Sequence, residues 1–173
     1  SILKAGTIMS ESYSVRLQKE CHVFSAAHFI TCGDGICEPL HGHNYRVWAE
    51  VEGPLDENHY VVDFILLRDA LQTITQTLDH HMLLPTSHPR IHVAASDQEV
   101  EVRFAQRRWV FPRSECALLP VANTTAELLA QYIGRQLLAE LERRAGVRPR
   151  VVRVGVDECH GQWGICTLRD EDE

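Results

Sequence analysis

Alternating hydrophobic and polar positions predict two strands in the first third of the chain. Apolar residues recur with a period of two from Tyr13 to Phe24, and again from His43 to Gly53. These apolar positions are Val15, Leu17, Cys21 and Val23 in the first segment and Tyr45, Val47, Ala49 and Val51 in the second. A period of two is typical of a half-buried strand, and the "CGDG" run between the segments suits a long exposed connection. We therefore predict an antiparallel pair of strands.

Two later segments change to steps of three and four residues, which predicts two amphipathic helices. The first helix runs from Asp63 to Leu78, with Asp63 as its N-cap, and the second from about Ala126 to Arg144. The apolar faces consist of Phe64, Leu67, Leu71, Ile74 and Leu78 in the first helix and Leu129, Ile133, Leu137 and Leu141 in the second. The "TTAE" start of the second helix has the form of a capping box, in which Thr124 and Glu127 satisfy the first free amides.

Two more strand candidates, "RVVRVGV" and "GICTL", follow the breaker-rich "GVRP" segment. The order strand, strand, helix, helix, strand, strand predicts an α+β domain whose helices cover one face of an antiparallel sheet. Residues 83–122, between the helices, hold short alternating runs that we interpret as an inserted β-meander. We assign the whole of residues 13–169 to one domain, with a flexible arm at 1–12 and an acidic tail at 170–173.

Composition narrows the class of protein. The 173 residues are 45% hydrophobic and 24% charged, which suits one ordinary globular domain, and no apolar run approaches the ~18 residues of a membrane helix. A net charge of -7 makes nucleic acid an unfavoured partner, and we interpret Arg103, Arg107 and Arg108 as a solvated strand face rather than an anion site. The opening residues lack the apolar core of a secretory signal, so we expect a reducing cytoplasm, where the six cysteines stay unpaired.

Histidines in the "FSAAH" and "LHGH" segments predict a metal site. His41 and His43 stand two apart, so on an extended strand both imidazoles project from the same face. His28 ends the first strand region and becomes a third ligand if the two strands pair. Three histidines with one open position are typical of catalytic zinc. A closed structural site that uses Cys32 and Cys37 as further ligands remains open at this point.

Six motifs carry a resemblance to a known family. "FSAAH", "C-x3-HGH", "VVDFILLRDAL", "LDHH", "NTTAE" and "VDE" fall in the order seen in the 6-pyruvoyl-tetrahydropterin synthase and 6-carboxy-tetrahydropterin synthase family. The resemblance implies the tunnelling fold, a four-stranded antiparallel sheet with two helices on one face, which assembles into trimers and hexamers. It also implies zinc held by His28, His41 and His43, and a pterin triphosphate substrate bound between subunits.

The resemblance also implies roles for six residues. Cys37, Asp79 and His80 match the catalytic cysteine and the aspartate and histidine that work with it, whereas Thr124, Thr125 and Glu158 match the pterin-recognising positions. A free thiol has a pKa near ~8.5, so Cys37 needs nearby positive charge to act as a base. Each role has an alternative interpretation. Cys37 could be a small buried residue, and Asp79 and His80 could form a solvated helix end. Thr124 or Thr125 could cap the second helix, and Glu158 could be an exposed loop carboxylate.

The spacing inside the cysteine motif favours one of the two family reactions. "CEPLHGH" has three residues between the cysteine and the first histidine, and "LDHH" is similar to the same type, the carboxy synthases. We therefore expect conversion of 7,8-dihydroneopterin triphosphate to 6-carboxy-5,6,7,8-tetrahydropterin, on the route to queuosine and other 7-deazapurines, with release of acetaldehyde and triphosphate. The alternatives are the pyruvoyl reaction, which eliminates triphosphate, and a non-catalytic module that binds pterin or metal.

Overall fold

The structure, a computed structural model, describes residues 9–33 and 35–171. Part of the arm predicted at 1–12 and part of the tail predicted at 170–173 lie outside these residues. The strands are β1 (Tyr13–Leu17), β2 (Val23–His28), β3 (Thr31–Cys32), β4 (Ile36–Cys37), β5 (His41–Gly53), β6 (His81–Pro85), β7 (His92–Ala95), β8 (Glu99–Phe104), β9 (Arg107–Pro112), β10 (Cys116–Leu119), β11 (Val151–Cys159) and β12 (Gln162–Arg169). The helices are α1 (Phe64–Leu78) and α2 (Ala126–Ala145), with a short 3-10 turn at Arg113–Glu115.

The main sheet has seven strands in the order β10-β6-β2-β5-β11-β12, and β1 also pairs with β5. It contains the four predicted strands, but the first of them is divided into β1 and β2, which pair antiparallel with successive parts of β5. The predicted apolar positions Cys21 and Val23 are exposed, and the buried face of β2 begins instead with Phe24, because the break changes which alternate residues face the core. A turn separates the two parts, where the His22 amide donates to the Lys19 carbonyl. The prediction of a four-stranded, wholly antiparallel sheet was therefore wrong in size and in direction, because β6 and β10 add parallel pairs.

The segment between the helices divides between two sheets. Strands β7, β8 and β9 form the predicted antiparallel meander, but β6 and β10 belong to the main sheet. Alternate residues of β6 face different cores: Leu83 packs into the core beneath the helices, and Met82 and Leu84 into a second core under the meander. Because β6 is buried on both sides, it has the continuous apolar run "MLLP", which does not distinguish strand from helix.

Both predicted helices are present, and their apolar faces cover one side of the main sheet. The assignment of Phe64 to the buried face of α1 was wrong, because this first residue of the helix is exposed. Asp63 is the N-cap of α1, as predicted, and its side chain accepts hydrogen bonds from the Ile65 and Leu66 amides. The N-cap of α2 is Thr125, whose side chain accepts from the Leu128 amide. The predicted capping box of Thr124 and Glu127 was wrong by one residue, because Thr124 is buried and donates instead to the Phe29 carbonyl.

No helix among the described residues is long and apolar enough to cross a membrane.

Candidate active site

Pairing of β2 with β5 brings three histidines together at one end of the sheet. His28, the last residue of β2, lies directly opposite His41, and His43 follows two residues later on the same face of β5. Each ring offers a nitrogen, and the three nitrogens lie within 4.8 Å of one another. We call His28, His41 and His43 the three-histidine cluster. Among the described residues, the group with this metal-binding geometry includes neither Cys32 nor Cys37, so the closed structural site is disfavoured.

Hydrogen bonds to backbone carbonyls orient two of these rings. His28 Nδ1 donates to the Thr124 carbonyl at 2.9 Å, and His41 Nδ1 donates to the Pro39 carbonyl at 2.8 Å. Because a carbonyl only accepts, the proton is on Nδ1 and the lone pair on Nε2. Metal-bound histidines in proteins are usually fixed in this way.

The environment of the three-histidine cluster suits a metal ion rather than a proton. The Nε2 atoms of His28 and His43 are buried and have no hydrogen-bond partner among the described residues. Burial lowers the pKa of His28 to about 4, with smaller contributions from the two neighbouring imidazoles, against a raising effect of its hydrogen bond to Thr124. Imidazole nitrogens with unused lone pairs are ligands that zinc prefers, and three such ligands leave one position open for a substrate. The residues therefore fit the expected ion.

Glu158 reaches the three-histidine cluster from β11. A register shift between Asp157 and Cys159 interrupts the pairing with β12 at this residue. Glu158 Oε1 lies 3.4 Å from His43 Nε2, although the two atoms are not aligned as a hydrogen bond. The carboxylate also lines a pocket of about 420 Å³, the Glu158 pocket, whose wall consists of Ile30, Thr125, Ala126, Glu127, Glu158, Gln162, Trp163 and Gly164.

Tyr45 lies beside His43 and was not among the predicted site residues. Its ring centroid is 5.4 Å from that of His43, and its buried hydroxyl has no partner among the described residues. Burial raises the pKa of Tyr45, and the Glu158 charge adds to the effect. The sequence presents Tyr45 only as a core position of an alternating strand, and no motif marks its hydroxyl.

The two predicted pterin-binding threonines differ in exposure. The Thr124 side chain is fully buried, and its hydroxyl and carbonyl both make structural hydrogen bonds, the carbonyl with His28. Thr125 lines the Glu158 pocket, where its hydroxyl caps α2. Of the two side chains, only Thr125 has access to a ligand in that pocket, and Thr124 contributes by orienting His28.

Cys37 is half-buried in β4, on the hairpin that leads from β2 to β5. Burial raises the pKa of the Cys37 thiol, and the nearby Arg107 guanidinium opposes this effect. Glu38 follows Cys37 and places Oε2 at 3.9 Å from His41 Nε2. A carboxylate therefore lies beside the three-histidine cluster in the same loop as the thiol.

The three meander arginines, interpreted from the sequence as a solvated strand face, differ in their contacts. Arg103 and Arg108 pair with Glu101 on an exposed strand face, as predicted. Arg107 instead donates to the carbonyls of Cys37 and Glu38, so the interpretation was wrong for this residue. No local pattern distinguishes Arg107 from its neighbours, because only the tertiary structure brings β9 against the loop.

Asp79 and His80 lie where α1 ends, against β2. Asp79 Oδ1 accepts from the Ser25 amide at 2.7 Å, and Oδ2 lies 2.9 Å from His80 Nδ1. The Ser25 amide, followed by His80, lowers the pKa of Asp79. His80 has a positive φ of 57° and an exposed ring. Within the described part of one chain, no hydrogen bond or ion pair connects His80 with Cys37 or Glu158.

Comparisons with known proteins identify the family and agree with this fold. The sequence model of the family described as 6-pyruvoyl tetrahydropterin synthase matches residues 16–169. A Pyrococcus abyssi protein provisionally named 6-carboxy-5,6,7,8-tetrahydropterin synthase is 31% identical over 146 residues, which cover 84% of this chain and 85% of that protein. A Methanocaldococcus jannaschii protein with the same provisional name is 29% identical over 144 residues, 83% of this chain and 87% of the other.

Solved structures show the same architecture. The 6-pyruvoyl tetrahydropterin synthase of Plasmodium falciparum superposes with a TM-score of 0.83 at 27% identity, and the alignment covers 93% of this chain and all of that one. The Plasmodium vivax synthase, solved as a catalytic-residue mutant, has a TM-score of 0.83 at 24% identity, with the same coverage. Fold and site together define a pterin synthase of the lyase type. The chain belongs to the 6-pyruvoyl tetrahydropterin synthase family.

Proposed function

We propose that the protein is a zinc-dependent lyase that converts 7,8-dihydroneopterin triphosphate to 6-carboxy-5,6,7,8-tetrahydropterin, with release of acetaldehyde and triphosphate. The observation that carries the proposal is the three-histidine cluster, in which the unpaired Nε2 atom of His43 lies 3.4 Å from Glu158. The names of the archaeal relatives and the three-residue gap between Cys37 and His41 favour the carboxy reaction over the pyruvoyl reaction. Such a product belongs to the route to queuosine and related 7-deazapurines.

His28, His41 and His43 would hold the zinc ion. When bound, the ion supplies Lewis-acid chemistry that lowers the cost of removing a proton from a hydroxylated side chain. Glu158 accepts hydrogen bonds from the pterin ring N–H and exocyclic amine, a two-point contact that discriminates against other heterocycles. Thr125 adds a polar contact on the wall of the same pocket.

Cys37 removes the substrate proton, and Asp79 and His80 assist proton transfer. The Asp79 carboxylate faces His80 Nδ1, so it orients the ring for proton transfer. Since His80 has no contact with Cys37 in the described part of one chain, we propose that His80 acts in the site of a neighbouring subunit. The protein would then work as a trimer or hexamer, and light scattering should give a mass several times the 19.7 kDa of one chain.

A product assay tests the proposed reaction. Purified zinc-loaded protein is incubated with 7,8-dihydroneopterin triphosphate, and acetaldehyde and triphosphate are measured together. Both products in equal amounts support the carboxy reaction, triphosphate alone supports the pyruvoyl reaction, and neither product contradicts both. Cys37→Ala separates an enzyme from a non-catalytic binding module, because pterin and zinc binding survive in either case but only an enzyme has turnover to lose.

One observation favours the pyruvoyl reaction as the second candidate. The solved structures with TM-scores of 0.83 are named 6-pyruvoyl tetrahydropterin synthases, and the residue replaced in the Plasmodium vivax mutant is a glutamate described as catalytic. This chain carries Glu38 beside Cys37, at 3.9 Å from His41. If Glu38 is the base, Glu38→Gln should abolish turnover and Cys37→Ala should retain it, which reverses the order expected for a thiol base.

A further inference from the structure

The meander contacts the loop that carries Cys37 through one arginine. Arg107, the first residue of β9, donates from Nη1 to the Cys37 carbonyl at 2.7 Å and from Nη2 to the Glu38 carbonyl at 3.3 Å. Alternation along β9 turns Arg107 toward this loop and its neighbour Arg108 toward solvent and Glu101. One planar guanidinium thus bridges two consecutive carbonyls, a geometry that the single amine of lysine does not reproduce.

Aromatic packing holds the Arg107 guanidinium in place. The guanidinium lies over the Trp109 ring, 4.7 Å from its centroid. Trp109 in turn stacks on Phe29, with centroids 4.6 Å apart and planes inclined by 18°. Phe29 is fully buried and directly follows His28. The same row of side chains therefore supports both the end of β2, which carries His28, and the loop that carries Cys37.

A second arginine from the segment between the helices contacts the same hairpin. A Cβ atom at Gly35 would lie 2.7 Å from Arg90 Nη1, so the guanidinium packs directly against the glycine backbone. Gly35 has a φ of 95°, which favours glycine. The Arg90 guanidinium also lies over the Phe104 ring of β8, 5.2 Å from its centroid. The hairpin is therefore supported at two points from the segment that joins α1 to α2.

The positive charge of Arg107 also affects the pKa of the Cys37 thiol. Burial raises the pKa of the Cys37 thiol, and the neighbouring Glu38 and Cys32 raise it further. Arg107 is the positive group near the thiol that acts in the opposite direction. The chain thus places one guanidinium where it both holds the loop backbone and favours the thiolate.

We propose that Arg107 is a positioning residue for the Cys37–Glu38 loop: its two hydrogen bonds hold the backbone from which the reactive side chain projects. The inference rests on the proposed function and extends it, because it gives the segment between the helices a part in the reaction. Arg107 contacts the loop backbone and acts through Cys37.

Steady-state kinetics of the zinc-loaded protein test this role, with Arg108→Met as the matched control for Arg107→Met. We expect Arg107→Met to lower kcat about tenfold or more, with KM within about twofold of wild type, because a misplaced base slows the chemical step more than binding. Arg107→Lys, which keeps the charge but not the fork, should have an intermediate kcat. Arg108→Met should match wild type.

The alkylation rate of Cys37 gives a readout that does not depend on turnover. Iodoacetamide labelling at neutral pH, localised to Cys37 by mass spectrometry, should differ at least about threefold in rate between Arg107→Met and wild type, because thiol reactivity depends on exposure as well as on nearby charge. Arg107→Lys, which keeps the charge but not the two hydrogen bonds, should recover only part of the difference. If wild type has no turnover, the proposed function fails and the alkylation rates decide this inference alone.

Equal alkylation rates in Arg107→Met and wild type would then overturn the inference, and so would an unchanged kcat in an active enzyme. A fall in kcat that Arg108→Met matches would also overturn it. If Arg107→Met no longer unfolds in a cooperative thermal transition, the kcat of Arg107→Lys becomes the deciding measurement. A kcat of Arg107→Lys equal to that of wild type would contradict the positioning role.

Discussion

At the scale of single residues, the site depends on which ring nitrogen of each histidine carries the proton. The carbonyls of Thr124 and Pro39 hold the protons of His28 and His41 on Nδ1, which leaves Nε2 available to a metal. Thr124 has this effect because its side chain is buried and tied to the Phe29 carbonyl. A position expected to contact the pterin thus acts on the metal site through its backbone.

Removing one of the three ligands should abolish tight zinc binding. We expect His43→Gln to lower zinc affinity more than about 100-fold, since loss of a ligand should exceed the effect of losing an outer partner. Metal analysis after dialysis against a weak chelator measures this change. His92→Gln, at an exposed position of β7, should keep the wild-type zinc content. Full zinc content in His43→Gln would contradict the assignment of the ligands.

The Tyr45 hydroxyl should not stabilise the metal-free protein. It is buried without a partner among the described residues, so Tyr45→Phe removes a polar group whose desolvation is not compensated. We expect the free energy of unfolding in urea to stay equal or to rise by up to about 1 kcal/mol. A loss of more than about 1 kcal/mol would show that the hydroxyl has a partner.

At the scale of elements, close approach of α2 to β12 shapes the Glu158 pocket. A Cβ atom at Gly164 would lie 2.6 Å from the Ala126 carbonyl carbon and from the Glu127 amide nitrogen, both in the backbone of the first turn of α2. The glycine therefore lets the N-terminus of the helix, capped by Thr125, lie directly on the strand. Thr125 and Gly164 line the pocket from these two elements.

Gly164→Ala should separate these two elements. Because backbone atoms cannot move as a side-chain tip can, we expect the free energy of unfolding to fall by about 2 kcal/mol, as in other overpacked sites. Urea denaturation measures the change. Ile165→Val, at an exposed position of the same strand, should stay within about 0.5 kcal/mol of wild type. An equally stable Gly164→Ala would mean that the contact relaxes without cost.

At the scale of the whole molecule, two cores meet along the main sheet. The larger core lies between the sheet and the two helices, and the smaller lies under the meander and includes Phe29, Met82 and Leu84. Cys37 and Trp109 pack at the edge of the smaller core. The meander therefore contributes directly to the surroundings of the site.

Burial of His28 should make the metal-free protein less stable in mild acid. The pKa of His28 is about 4 in the folded protein and 6.5 for an unperturbed histidine, so the unfolded chain binds a proton first as the pH falls. Stability attributable to His28 is present above pH 6.5 and is lost between 6.5 and 4, by about 2 kcal/mol from pH 7 to pH 5.

Urea unfolding of the metal-free protein at the two pH values tests this expectation against His28→Leu. The buried His22 and the half-buried His88 also have lowered pKa values and add in the same direction, so the difference between wild type and variant is the relevant quantity. If His28→Leu loses as much stability in acid as wild type does, the histidine does not carry the effect.

Residue patterns alone determined the two helices, most of their buried faces and the shared face of His41 and His43. All of these depend on local periodicity, and a strand spacing of two residues requires His41 and His43 to share a face. Only the tertiary structure decided that β6 and β10 join the main sheet, that Thr125 rather than Thr124 caps α2, and that Arg107 binds the Cys37 loop. Those features arise from contacts between residues far apart in the chain, which periodicity does not encode.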